Sequence, residues 1–137
     1  MSMLNALQIS SSALNAQMVR MNTTASNLAN MDVVGATESE AYKAKKPIFK
    51  TVMDAHTNND FQARVSVAGI HVTERVNSKR YEPQNPGANE DGYVYMSNVN
   101  SIEEMVDMTN ASRSYQTNVE VMNATKKMMM STLQLGR

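Results

Sequence analysis

One long apolar repeat at the end of the chain, from Ser101 to Arg137, restricts its fold more than anything else in the sequence. Met105, Met108, Tyr115, Val119, Met122, Met129 and Leu133 fall on alternating three- and four-residue steps, with only Ser112 and Lys126 breaking the series. That spacing is the seam of a coiled coil. Ser101 with Glu104 three residues later has the form of a capping box, in which each side chain satisfies a backbone N–H of the first helical turn. Glu103, Glu104 and Asp107 at the start, and Lys126 and Lys127 near the end, stand where the helix dipole favours their sign. The expected helix is about 50 Å long at 1.5 Å per residue, whereas a compact domain of this size has a radius of gyration of roughly 14 Å. Such a helix must project, and something outside the chain is expected to cover part of it.

A second repeat occupies the other end. Leu4, Leu7, Leu14, Met18, Met21, Ala25 and Leu28 keep the same spacing, and Ser11 is the polar residue in the register. Between Met1 and Met31 the only charged side chain is Arg20, and the off-seam positions are Ser, Thr, Asn, Gln and Ala. A helix free in water usually carries a charged face, so this one is expected to have neighbours on several sides. Asn5, Asn15, Asn22 and Asn27 are poor helix formers, each costing about 0.6 kcal/mol relative to Ala. The segment is therefore expected to be a marginal helix alone, with termini disordered in the free protein that fold on assembly.

Between the helices the pattern changes. Gly35 and the run Glu38, Ser39, Glu40 mark a loop. Tyr42 to Met53 is basic and mixed, and Pro47 forbids a central strand or an unbroken helix there. Residues 54–60 are expected to form another loop. Phe61, Ala63, Val65 and Val67 alternate like a strand, and Ile70, Val72 and Val76 continue after a phase shift, with Gly69 as a turn or bulge. Turn formers crowd 82–92, and Tyr93 to Met96 is a short strand able to pair with the earlier ones. The expected fold is mainly α with a small β-rich insertion: two long antiparallel terminal helices as a coiled-coil-like pair (1–31 and 101–137), and a middle unit (32–100) at one end. Each helix carries more apolar and small residues than one partner can cover, which leaves a lateral surface for other copies or relatives.

The chain's 13 basic and 13 acidic residues balance, which gives no general affinity for nucleic acid or anionic lipid. With no cysteine, disulfides, thiol catalysis and thiolate metal sites are excluded together, a composition that suits an exported protein. Trp is absent and there are 13 Met, so any independent core is soft and adaptable. No apolar stretch approaches a membrane span, and the N-terminus has neither the basic start nor the apolar run of a cleaved signal peptide. The chain is expected to be soluble as made, and to need an export route that leaves its N-terminus intact if it leaves the cytoplasm.

No catalytic, metal or cofactor site is expected. His56 and His71 lack a second ligand at suitable spacing and are assigned to a loop and a water-facing strand position. Glu103 and Glu104 are explained by their place in the first helical turn. There is no glycine-rich dinucleotide loop, phosphate loop or serine elbow. The Asn-x-Ser/Thr triplets at Asn22, Asn110 and Asn123 lie inside helices, where glycans would block packing. Arg113 and Tyr115 fall in the polar break of the second helix and are candidates for inter-subunit hydrogen bonds. Met128, Met129 and Met130 span most of a helix's circumference and are assigned to packing, with contacts on several sides.

Four segments taken together carry a resemblance: NVEVMNATKKMMMSTLQLG at 118–136, ASRSYQTN at 111–118, YEPQNPGANEDGYVYMSNVNSIEEM at 81–105 and SNLAN at 26–30. They resemble the flagellar axial protein family, and the YEP…GYVY…NV…EEMV block narrows it to the proximal-rod, FlgC-type branch. The resemblance implies a structural subunit of the basal-body rod in the periplasmic space, secreted by the flagellar type III export apparatus without signal cleavage. It implies terminal helices forming an inner tube and a middle unit further out. Implied partners are copies of itself, other proximal rod proteins of FlgB and FlgF types, the distal rod protein of FlgG type and a FliE-type adaptor. Subunit-interface positions would be the heptad residues Leu4, Leu7, Leu14, Met18, Met21, Leu28, Met105, Met108, Tyr115, Val119, Met122, Met129 and Leu133. Two departures stand out: Val33, Val34, Gly35 and Ala36 replace a usual Thr-Pro-Gly-Tyr, and Ser97 replaces a common proline, which predicts a less rigid approach to the second helix.

Two rival readings use the same residues. A cytoplasmic coiled-coil hairpin adaptor would share the heptads but would carry charged flanking positions to select its partner helices, and the first helix has almost none. A small enzyme with helical appendages would need a convergent polar cluster in the middle unit.

Overall fold

The computed structural model describes residues 3–56 and 60–135, and among them the element order is α, five strands, α. Helix α1 spans Met3–Ala29 and α2 spans Ser101–Leu135. Strands β2 (Lys45–His56) and β3 (Asp60–Val72) form a long antiparallel ribbon. Strands β1 (Val34–Gly35), β5 (Tyr93–Met96) and β4 (Lys79–Tyr81) form a small antiparallel sheet in that spatial order. Two terminal helices with β structure between them match the expected class. Within the expected 54–60 loop, residues 54–56 and 60 continue the two strands, and 57–59 lie outside the described residues.

The end of α1 meets the start of α2, since Asn27 hydrogen-bonds Glu104, and the helices then pack along one another. That is possible only if they run antiparallel. The expected apolar seam supplies none of the fully buried residues of either helix, although its Met108, Tyr115, Met122 and Met129 are half-buried. On α2 the buried residues are Glu104, Ala111 and Thr125, and on α1 they include Ala16, Thr23 and Asn27. The buried residues of α2 lie seven and fourteen residues apart, each one residue ahead of Met105, Ser112 and Lys126. Small side chains let the backbones approach, and the threonine hydroxyls satisfy themselves by donating to the carbonyl one turn back, Thr23 to Val19 and Thr125 to Val121.

The ribbon corrects the expectation of a middle unit confined to one end. Asn27 bonds the backbone of Lys45, the Arg20 guanidinium lies 4.8 Å from the Phe49 ring centroid, and the Ser12 hydroxyl accepts the Val65 N–H at 3.1 Å. The ribbon therefore runs back along α1 toward its N-terminus. This accounts for the missing charged face of α1: one neighbour is α2 and another is the chain's own ribbon. Pro47 is tolerated because both strands of a two-stranded ribbon are edges. The pairing shifts between Ile48↔Gly69 and Phe49↔Val67, which leaves Ala68 without a partner at the bulge expected near Gly69.

Only the three-stranded sheet sits at the end of the helix pair. Its central strand β5 pairs with β1 and β4 rather than with the ribbon, and Val94 in its middle is wholly buried. The connection into β5 is held by Asn89, whose side-chain oxygen accepts the N–H groups of Asp91 and Tyr93, and by Gly92 at φ 77°. Beside this turn the Asn85 amide bonds the Glu82 carboxylate and, against an opposing desolvation and with help from the nearby Arg80, holds it below its usual pKa.

Ser97, at the position where a proline is common, is buried, and its hydroxyl accepts the Val99 N–H at 3.2 Å on the approach to α2.

A Cβ on Gly92 would fall 2.9 Å from the Tyr81 ring and 3.2 Å from Pro83, whereas one on Gly69 meets nothing within 4 Å. Gly92→Ala is therefore expected to cost roughly 1–3 kcal/mol, since φ is positive as well. Gly69→Ala is expected to be neutral or slightly stabilising. Denaturation midpoints of the two variants check the contrast.

Candidate functional site

Where α1, the ribbon and α2 converge, one fully buried amide joins all three. The Asn27 Nδ2 donates to the Lys45 carbonyl at 2.8 Å and to the Glu104 carboxylate at 3.0 Å, while Oδ1 accepts the Lys45 N–H at 2.9 Å and the Tyr42 hydroxyl at 3.1 Å. Every donor and both lone pairs of the amide are used. A shallow cleft of about 140 Å³ lies beside it, lined by Arg20, Thr24, Lys45, Lys46, Pro47, Glu104 and Asp107. Lys46 bridges Asp107 at 3.3 Å across it, an exposed pair that contributes little on its own.

Three further asparagines extend the stitching. Asn98 accepts the Ala44 N–H and donates to the carbonyls of Thr73 and Arg75; Asn77 donates to the carbonyls of Tyr42 and Met96. Asn100 caps α2, and this corrects the assignment of Ser101 and Glu104 as the capping pair. The Asn100 Oδ1 accepts the Ile102 N–H at 3.1 Å and its amide donates to Glu103, so the reciprocal cap lies one residue earlier. Glu104 is thereby released to turn inward onto Asn27. Sequence reasoning counted Asn27 only as a poor helix former and singled out none of Asn77, Asn98 and Asn100; the available signal was their recurrence at element ends, where an amide can replace missing backbone partners.

The helix surfaces away from this junction are apolar and open. Among the heptad residues, Leu4, Met18, Met105 and Leu133 are exposed, Leu133 at 70%. Leu7, Leu14, Met21, Leu28, Met108, Tyr115, Val119, Met122 and Met129 are half-buried. Met128 and Met130 are exposed, so the packing assigned to this methionine run is not supplied by the chain itself. Arg113 is exposed and Tyr115 half-buried. His71 is exposed on β3, while His56 ends β2, its side chain lying outside the described ones. Among the described residues no group of three or more acidic or histidine side chains is placed to hold a metal, and no helix is long and apolar enough to cross a membrane.

Asn27→Ala leaves the Glu104 carboxylate buried without its donor and is expected to cost roughly 3 kcal/mol, against about 1 kcal/mol for Tyr42→Phe, which removes one bond to the same amide. Denaturant titration of assembled rods carrying each variant tests whether the amide is the joint; equal small effects would contradict it.

Residues 90–135 match the family described as flagellar basal body rod FlgEFG protein C-terminal, and residues 7–37 match the flagella basal body rod protein family. The chain is 44% identical over 137 residues to the flagellar basal-body rod protein FlgC of Salmonella typhimurium, covering 100% of both chains. It is likewise 44% identical to the FlgC of Escherichia coli O157:H7 over 139 residues and 35% identical to that of Bacillus subtilis over 150, each with full coverage of both. With two terminal helices that match rod-family segments and full-length similarity throughout, the chain belongs to the FlgC family of flagellar basal-body rod proteins.

Proposed function

We propose that this FlgC-family chain is a structural subunit of the bacterial flagellar basal-body rod, in its proximal part, and that its terminal helices pack with those of neighbours into a helical tube that transmits torque. The observation that carries the reading is the burial pattern of the helix pair: the buried residues of α2 are Glu104, Ala111 and Thr125, while the large apolar Met18, Met105 and Leu133 are exposed. The accessible surface of 9530 Å² exceeds the roughly 7,100 Å² of a compact monomer of this mass. An elongated pair with an apolar exterior is a wall element rather than a finished domain.

The heptad residues Leu4, Leu7, Leu14, Met18, Met21, Leu28, Met105, Met108, Tyr115, Val119, Met122, Met129 and Leu133 form the subunit interfaces in this reading. Contacts between unlike patches propagate along a helix instead of closing into a dimer, and side-by-side helices give the wall its stiffness. Neighbours are copies of itself, rod proteins of FlgB, FlgF and FlgG types and a FliE-type adaptor. The route to the periplasmic rod is the type III export apparatus, with the N-terminus uncleaved. Export through a narrow channel requires an unfolded chain, and helices whose apolar faces find no cover within the molecule unfold readily.

Far-ultraviolet circular dichroism of the purified chain is expected to report far less helix than the 27 residues of α1 and 35 of α2, with proteolysis at both ends. A protease-resistant, fully helical monomer would contradict the reading. Met18→Glu and Leu133→Glu, both at exposed positions, are expected to leave the monomer's spectrum unchanged and to abolish incorporation into isolated basal bodies.

A further inference from the structure

The small sheet collects tyrosines on one face. Cross-strand partners project to the same side, and Tyr81 pairs with Tyr93 while Lys79 and Gly35 both pair with Tyr95. Three of the chain's five tyrosines therefore share the face opposite Val94, which is wholly buried. Tyr81 is 62% exposed and Tyr93 41%, and their rings meet edge to face with centroids 5.2 Å apart. Lys79 holds its ammonium 6.0 Å from the Tyr93 ring centroid, so this face already receives a cation. Acidic residues border the patch on two sides. A Cβ on Gly35 would fall 2.8 Å from the Ala41 nitrogen and 3.0 Å from the Glu40 carbonyl carbon, which places the loop carrying exposed Glu38 and Glu40 against the same face. On the other side the Tyr81 ring lies over Gly92, directly after exposed Glu90 and Asp91. Among the described residues none of these four carboxylates is in an ion pair. An exposed aromatic centre with a charged rim has the anatomy of a protein contact, and its chemistry fits a partner that is both cationic and apolar.

The opposite end of the molecule has that chemistry. Lys126 and Lys127, with Asn123, Met130 and Ser131, line an open groove on α2. Asn123 and Lys127 stand two residues either side of buried Thr125, which at about 100° per residue turns them away from α1. Among the described residues neither lysine pairs with a carboxylate, residues 3–19 of α1 carry no charge, and α1 alone of the elements packs on α2. Glu120, the nearest acidic residue along the helix, is two turns back, about 10 Å away. Met128, Met130, Leu133 and Leu135 are exposed around the lysines. Ammonium groups and thioethers both bind tyrosine rings, through cation–π and sulfur–ring contacts. Within one chain the two surfaces cannot meet, because Lys126 stands roughly 38 Å along α2 from Ser101, where the sheet lies. A second copy accounts for both surfaces at once, whereas an anionic lipid surface against the lysines would leave the tyrosine face without a role.

We propose that the tyrosine face of the three-stranded sheet, centred on Tyr81 and Tyr93 within its acidic rim, receives Lys126, Lys127 and Met130 of a second copy placed end to end with the first. The contact joins unlike patches, so it propagates along an axis instead of closing a dimer. It deepens the assembly reading above and rests on it.

Sedimentation of the full chain over a range of concentrations at low salt tests the two separately, with phosphatidylglycerol vesicles as the lipid control. Lys126→Glu/Lys127→Glu and Glu90→Lys/Asp91→Lys are each expected to weaken self-association roughly tenfold. An equimolar mixture of the two is expected to restore it, since each variant supplies the sign the other lacks. Tyr81→Ala is expected to weaken association at high salt as well, where exposed charges are screened; undiminished association would overturn the proposal. If the wild type associates and neither reversal weakens it, or if the mixture restores nothing, the contact is overturned while the assembly reading stands. The same follows if the lysine variant loses vesicle binding and keeps its self-association. If the wild type does not associate at any concentration, both fall. Carbodiimide coupling in a mixture of light and isotope-labelled chains gives a second readout: a cross-link from Lys126 or Lys127 to Glu38, Glu40, Glu90 or Asp91 between differently labelled copies is expected, and cross-linked assemblies without one would overturn the contact.

Discussion

A buried amide holding a buried carboxylate is the constraint on which the architecture depends. Asn27 is wholly inaccessible and Glu104 nearly so, and their 3.0 Å contact joins the last turn of α1 to the first turn of α2. A carboxylate removed from water without a donor is costly, and Asn27 offers that donor only in one helix register. The same amide grips the backbone of Lys45 through both its N–H and its carbonyl, so the start of the ribbon is set by the same decision. Register, ribbon direction and helix pairing are thus fixed together at one point, and the rest of each helix follows at its own periodicity.

With the joint satisfied by polar bonds, the helices do not need an apolar seam between them. Ala111 is buried on the face of α2 that packs on α1, where a larger side chain would hold the helices apart, and the methionines and leucines are half-buried or exposed. Polar pairing inside and apolar surface outside is unfavourable for an isolated domain, which gains most of its stability from buried apolar area. It becomes favourable when identical surfaces pack round a common axis. The soft, methionine-rich exterior suits this, because Met adapts to unlike neighbours at the junctions between different rod components.

Both helices, their antiparallel run and the bulge near Gly69 were legible in the sequence because each depends on local periodicity or backbone chemistry. On α2 Met108, Tyr115, Met122 and Met129 keep their half-buried places, but Glu104, Ala111 and Thr125 are buried one residue ahead of Met105, Ser112 and Lys126; Ser112 and Lys126, which interrupt the apolar series, were the clue. Asn27 gave no local sign of its role, since its three partner residues lie 15 to 77 positions away in sequence. The cap at Asn100 was hidden by Ser101, an equally good capping residue one place later. The return of the ribbon along α1 was foreshadowed only indirectly, by a helix too poor in charge to face water, which called for neighbours on several sides without saying which. Family membership came from motif order rather than from any of these packing details.

The most direct test of the central claim is a side-chain-resolution map of the assembled rod. The account predicts Met18, Met105 and Leu133 in contact with neighbouring chains, with Asn27 still bonded to Glu104 inside each subunit. Those three residues facing solvent in the assembled rod would contradict it.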